Sequence, residues 1–261
     1  MANIRPPAVA GLFYPADRQA LAATVESLLQ GATAAGQPPK AIIAPHAGYV
    51  YSGPIAASAY ALLAPSKASI EKVVLLGPSH RVGFRGIATT RADSYASPLG
   101  IVPSDRQSYE KIRDLPFVGG LDEAHVQEHS LEVHLPFLQV ALENFELIPL
   151  VVGDATPEQV SLVLERLWGG PETLIVVSSD LSHYHDYETA RRMDGATSIA
   201  IENLRPADIG HEAACGRVPV NGLLHFARTR GLAARTVDLR NSGDTAGGKD
   251  RVVGYGAYVF Q

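Results

Sequence analysis

Sulfur is nearly absent from this 261-residue chain, which holds one cysteine and two methionines. A lone thiol, Cys215, excludes an intramolecular disulfide and points to a reducing compartment. No run approaches the roughly 18 uninterrupted apolar residues of a membrane-spanning helix. The opening stretch, MANIRPPAVAGLFYPAD, has two adjacent prolines where a secretory signal would carry a continuous apolar segment. A cytoplasmic protein without membrane attachment is the expectation. Charge is also sparse: 19% of residues are charged, the net charge is -5, and no block of like sign occurs. Nucleic-acid binding needs a basic stripe to displace counterions, so it is not expected. The most basic stretch, RTRGLAAR at 228–235, reads as a helix end running into a strand.

Several chemical signatures are missing as well. GDTAGGKD at 243–250 is glycine-rich but lacks the phosphate-loop spacing, and no G-x-G-x-x-G follows a strand and opens a helix. A G-x-S-x-G nucleophile elbow is absent too. There is no internal repeat or low-complexity tract, and QGATAAGQPPK at 30–40 reads as a loop, so a single domain over 1–261 is expected.

What is present is apolar and alternating. Hydrophobic residues make up 46% of the chain, enough for a sizeable core. Short apolar runs predict strands at 41–45, 72–77, 86–90, 145–153, 173–179, 234–239 and 252–260. Wider periodicity predicts helices at 17–29, 54–63, 105–114, 130–143, 157–167, 187–203, 206–215 and 220–229. Pro54, Pro157 and Pro206 are placed at helix starts, with Thr156 as a cap. The fold class expected is α/β: a central, mostly parallel but mixed sheet with helices on both faces. The 86–90 run and the last two runs are candidates for antiparallel pairing at an edge.

The ends of the apolar runs carry the chemistry. AIIAP ends in His46, KVVLLGPS in His80, and TLIVVSSDLS in His183, with His185 two residues on. Ligands of a parallel α/β sheet bind beyond the carboxyl ends of its strands, so three strands deliver an imidazole to one edge. Each histidine alone would pass as a capping or surface residue; three of nine at three strong strand ends argue for a cluster. ARTVDLRNSGD delivers Asp244 to a turn. Two imidazoles and a carboxylate suit non-haem Fe(II); the same set suits zinc. Asp180, in SSDLSHYH, reads equally as a ligand, a partner of His183 or a cap.

Neighbouring residues add detail. APHAGYVYSGP makes a tight turn into a helix, whose free N–H groups favour a carboxylate or phenolate. Tyr49 and Tyr51 beside it read either as packing residues or as a substrate-pocket lining. In HVQEHSLEVHLPF, Glu128 and His129 read as groups that orient a ligand imidazole through its other nitrogen. His134 reads as a hydrogen-bonded core histidine and His125 as a loop residue. His211 and Cys215 share an i, i+4 spacing, read as a helix end with a buried cysteine.

Together, RPPAVAGLFYP (5–15), APHAGYVYSG (44–53), LLGPSH (75–80), EHSLEVHLPF (128–137), SSDLSHY (178–184) and NSGD…VGYGA (241–257) resemble the Memo family in the same order. Prokaryotic members of that family are called AmmeMemoRadiSam system protein B. The resemblance implies a fold shared with class III extradiol dioxygenases, with a pocket at the strand ends. It implies His46 and His80 as metal ligands and His183 as acid/base, with Asp180 beside it. It places Asp244 where the dioxygenases carry an acidic third ligand and animal members carry a cysteine. The metal implied is divalent, Fe(II) first, with zinc or copper as alternatives; the ligand is a phenolic or anionic small molecule. Association with AMMECR1-like and radical SAM proteins is implied by the name. Three functions follow as expectations: a non-haem iron dioxygenase-like oxidoreductase, a binding protein for an anion such as a phosphotyrosine peptide, or a metal-handling protein.

Overall fold

Strands form where the Val, Ile and Leu runs stand. The computed structural model describes residues 3–33 and 36–261; residues 34 and 35 of the expected loop 30–40 lie outside the described residues. In chain order the strands are β1 (Ile4–Arg5), β2 (Ala41–Ala44), β3 (Lys72–Pro78), β4 (Ile87–Thr89), β5 (Ser94–Ser97), β6 (Gly100–Pro103), β7 (Val118–Gly120), β8 (Glu146–Val152), β9 (Thr173–Ser178), β10 (His183–His185), β11 (Ala234–Asn241) and β12 (Val252–Phe260). The main sheet runs β10-β12-β2-β9-β3-β8-β4-β7, with β11 paired to β12. Its centre, β2-β9-β3-β8, is parallel. Outside that centre β12 pairs antiparallel with β2 and β11, and β4 antiparallel with β8. The sheet is therefore mixed, with its antiparallel pairs where the 86–90 and C-terminal runs fall.

Successive side chains of a strand point to opposite faces, and in the central strands both faces are apolar. Ile42, Ala44, Val73, Leu75, Leu174 and Val176 enter one core, closed by helices Arg18–Gly31 and Tyr49–Tyr60. Their neighbours Ile43, Val74, Leu76, Ile175 and Val177 enter the other, closed by Pro157–Leu167 and Arg217–Arg230. Each such valine, leucine or isoleucine contributes roughly 1.5–3 kcal/mol over its exposed state. Both parities are thus pinned, and that fixes which strand ends converge. No helix among the described residues is long and apolar enough to cross a membrane.

Four expectations are corrected. The second helix begins at Tyr49, not Pro54, because Gly48 caps it and accepts from Tyr51 and Ser52. Pro54 lies inside that helix, and the carbonyl it leaves unserved belongs to Val50, an exposed residue. The expected helix 130–143 is two pieces, His129–Glu132 and Leu135–Ala141, broken where Pro136 starts the second. The 206–215 helix is only a 3-10 turn, Pro206–Asp208, after which the chain turns back toward the sheet. His125 is no loop residue: it is buried in the short helix Glu123–Val126, bonded to the Tyr95 hydroxyl and the Ala88 carbonyl. A small sheet, β1-β5-β6, had no apolar run to announce it.

That small sheet belongs to a clamp. Glu132, fully buried, pairs with Arg5 and accepts the Tyr14 hydroxyl at 2.6 Å and the N–H groups of Ala8 and Val9 at 2.7 and 2.9 Å. Arg5 also donates to the carbonyls of His125 and Glu128. The segment RPPAVAGLFYP is thereby bolted to the stretch that presents Glu128 and His129. Removing one partner of a buried pair leaves the other uncompensated, at a cost of about 3–5 kcal/mol. An Arg5→Met variant should lose that much unfolding free energy in urea titration; a loss under about 1 kcal/mol, the worth of a surface pair, would show that the clamp is dispensable.

Candidate metal centre

Three parallel strands end at one rim. His46 follows β2 by two residues, His80 follows β3 by two, and Asp180 follows β9 by two. Together with His129, His183, His185 and Cys215 they line one cavity of about 610 Å³. The His46 and His80 ring centres lie 5.1 Å apart, edge to face, and His129 stacks on His80 at 4.6 Å.

Hydrogen bonds orient these rings. Ser178 Oγ donates to the Ser130 carbonyl at 2.6 Å, so its one proton is used. Both imidazoles against that oxygen must then donate to it: His46 through Nδ1 at 2.6 Å and His134 through Nε2 at 2.8 Å. His134 Nδ1 is left to accept the Tyr60 hydroxyl at 2.8 Å, as a core histidine should. His46 Nε2 keeps its lone pair and faces Cys215 Sγ at 3.3 Å. His80 is held likewise, with Nδ1 against Glu128 Oε1 at 2.8 Å and its backbone N–H on Glu128 Oε2 at 2.6 Å. A carboxylate or hydroxyl on the second ring nitrogen is the usual support of a metal-binding histidine. His183 Nδ1 engages the Leu181 carbonyl at 2.8 Å, and its Nε2 has no partner among the described residues.

His46, His80 and Cys215 each offer a ligand atom, all within 4.8 Å of one another; so do His80, Glu128 and His129. The first trio has the better donor set. Glu128 is already occupied by His80 and by the Ser130 N–H at 2.9 Å. Burial pushes its carboxyl up, but the His80 and Ser130 bonds outweigh that and hold it at about 2. Burial, with Asp180 nearby, pushes the Cys215 thiol up. A coordinated cation would displace that proton outright.

Cys215 reaches the rim because its loop lies against β9. Its N–H donates to the Asp180 carbonyl, the Asp180 N–H meets its sulfur at 3.3 Å, and the Gly216 N–H donates to Ser179 Oγ. A Cβ on Gly216 would lie 2.4 Å from the Ser178 carbonyl oxygen, so only glycine permits this approach. Asp180 is the anion that the tight turn after β2 attracts: its Oδ1 accepts the His46 N–H at 2.7 Å. Burial raises its pKa to about 6, against the lowering effect of His46, His183 and His80.

A family model described as Memo-like protein matches residues 5–259. The chain belongs to the Memo family. It is 37% identical to a MEMO1 family protein of Aquifex aeolicus over 99% of both chains. Identity is also 37% to a MEMO1 family protein of Aeropyrum pernix, over 98% of this chain and 99% of that one. Among solved structures, an uncharacterized protein, JW3007, of Escherichia coli K12 shares the fold, with TM-score 0.55 and 11% identity over 84% of this chain and 98% of that one.

In this Memo-family chain Asp244 is not brought to the histidines. Its Oδ1 accepts the Tyr187 hydroxyl at 2.5 Å and its Oδ2 the Asn241 N–H at 3.0 Å, at an exposed turn. The asparagine-capped turn itself consumes the Asp244 carboxylate. Cys215 is the side chain that stands within 4.8 Å of the His46 and His80 nitrogens. Tyr49 is also displaced from the expected pocket lining. The helix starts at it, so Tyr49 and Tyr51 face about 200° apart; the Tyr49 hydroxyl donates to the Val133 carbonyl in the core, while Tyr51 stays at a cavity rim.

Burial also sets the charge of the histidines. Desolvation holds His134 down to about 3 and His125 and His129 to about 4; it also pushes His46 well below 6.5, with His80 adding to the effect. These rings are neutral in the folded state, whereas in the unfolded chain they gain protons below pH 6.5. The stability they contribute is full above that pH and is lost as pH falls toward 4. Asp180 and Asp194, both raised to about 6 by burial, bind protons first in the folded state and work the other way. Two carboxyls offset only part of four imidazoles. The urea midpoint of metal-free protein should therefore fall between pH 6.5 and about 4.5; a flat or rising midpoint would contradict neutral buried histidines.

Proposed function

We propose that this protein is a metal-dependent oxidoreductase of the dioxygenase type, acting on a phenolic substrate, with His46, His80 and Cys215 as metal ligands. The observation that carries the reading is the meeting of those three donors within 4.8 Å, two of them held through their second ring nitrogen. Iron is the metal put forward, and bound there it would supply Lewis acidity toward a phenolate and electrons toward dioxygen.

The chain's own groups supply the proton handling. His183 Nε2 faces the cavity with Nδ1 anchored, so it can take the proton of a phenol and return it later. Asp180 keeps the turn bearing His46 in place and puts a carboxyl beside the same space. Glu128 and Ser178 hold the proposed ligand rings, and His129, stacked on His80, lines the same space.

One alternative gains from the structure. A thiolate among the ligands suits soft Cu(I) as well as iron, which favours metal handling as the second reading. Capture of an anion by imidazolium at His46, His80 and His183 loses one of its three donors, since burial keeps His46 neutral near pH 7.

Elemental analysis of freshly purified protein, followed by oxygen-electrode assay with Fe(II) and a panel of catechols, tests the proposal. About one metal per chain is expected, lost in His46→Ala and Cys215→Ser, retained in Asp244→Asn, and bound about 10–100-fold more weakly in Glu128→Gln. Oxygen uptake with at least one phenol supports the oxidoreductase. Tight metal binding with no uptake across the panel leaves metal handling, and no retained metal at all overturns both.

A further inference from the structure

A second cavity, of about 490 Å³, opens beside the first and shares His129, Asp180, His183 and Tyr184 with it. Its remaining wall is chemically distinctive. Phe13, Tyr51, Tyr184 and Tyr255 give it aromatic surface, and Arg251 gives it a positive charge. Two polar groups on this wall have no hydrogen-bond or ion-pair partner among the described residues. One is the hydroxyl of Tyr255, a residue only 2% exposed; the other is the Arg251 guanidinium, which lies over the Tyr184 ring at 5.1 Å from its centre. A buried phenol normally finds a partner when the protein alone can provide one. Here it borders open space instead.

The backbone also departs from its easy conformations at this place. Tyr184 has φ +63°, one of two non-glycine residues in the left-handed region among those described, and β10 carries an irregularity between His183 and His185 where it pairs with β12. For a bulky side chain that conformation costs on the order of 1 kcal/mol or more. Tyr184 is left 64% exposed, between His183 and His185, which line the first cavity. An apolar surface of that size turned toward water, at an energetic cost, suits a ligand with a ring of its own.

We propose that this second cavity is the recognition arm of the site and takes an aromatic compound bearing an anionic side chain, a carboxylate in the simplest case. The ring lies among Tyr51, Tyr184 and Phe13, while the carboxylate accepts from Arg251. The Tyr255 hydroxyl donates a further hydrogen bond; burial raises its pKa, so it keeps its proton. The phenolic end then points toward His183 and the shared chamber. That orientation rests on the oxidoreductase reading; the recognition of an aromatic acid does not. Guanidinium and carboxylate form a two-point contact that a neutral analogue cannot reproduce.

Calorimetry on metal-free protein with 4-hydroxyphenylacetate and its neutral counterpart, 4-methylphenol, tests the assignment. The acid is expected to bind at least about tenfold more tightly than the neutral phenol, as for a charge-assisted pair. Arg251→Gln, a change at an exposed residue, should abolish that preference, and Tyr255→Phe should weaken the acid severalfold. Equal binding of acid and neutral phenol, or a preference that survives Arg251→Gln, overturns the proposal. Arg251-dependent binding without any oxygen uptake upholds the recognition arm while the oxidoreductase reading fails. Oxygen uptake indifferent to substrate charge and to Arg251→Gln does the reverse.

Discussion

A single hydroxyl proton organises this pocket. Ser178 Oγ gives its proton to the Ser130 carbonyl and can only accept from the two imidazoles that touch it. The tautomers of His46 and His134 follow from that count. Because His46 must donate through Nδ1, its Nε2 carries a lone pair toward Cys215 and the cavity. The same logic, with a carboxylate in place of the hydroxyl, fixes His80 through Glu128. A pocket whose donors are oriented before any ligand arrives loses little entropy on binding one.

These supports are themselves anchored in the core. Ser178 is the last residue of β9, in the parallel centre of the sheet, and Ser130 belongs to the stretch that Arg5 and Glu132 bolt to the N-terminal segment. Strain or slippage in that clamp would therefore be felt at His80 through Glu128. On the opposite flank, Cys215 is placed by a loop that lies on β9 only because Gly216 lacks a side chain. The proposed metal ligands follow β2 and β3 and lie on the loop against β9, while the proposed recognition surface is carried by Arg251 and Tyr255 at the start of β12.

Much of this was legible in the sequence, for identifiable reasons. Strands buried on both faces read as continuous apolar runs, so the central sheet and the convergence of His46, His80 and His183 could be seen from the letters. Glu128 could be read as a partner of a ligand imidazole because it lies among histidines at a helix start. Asp244 was placed beside the histidines, and Cys215 on a helix, through local patterning. An acidic residue in a glycine-rich turn looks like a delivered ligand, but the turn itself consumes its oxygens. The i, i+4 spacing of His211 and Cys215 suggested a helix that does not form, and a loop's path depends on close approaches that periodicity does not encode. Tyr49 and Tyr51 could be told apart only once the helix start was known. The Ser178 node joins residues 46, 130, 134 and 178, and no local window contains such a contact.

In the proposed site His46, His80 and Cys215 bind one metal through two nitrogens and one sulfur. X-ray absorption at the metal edge of iron- or zinc-loaded protein tests it most directly. One sulfur neighbour at about 2.3 Å and imidazole nitrogens at about 2.0–2.1 Å are expected for zinc, with the sulfur lost in Cys215→Ser. A shell of nitrogen and oxygen alone in the unmodified protein would contradict the account.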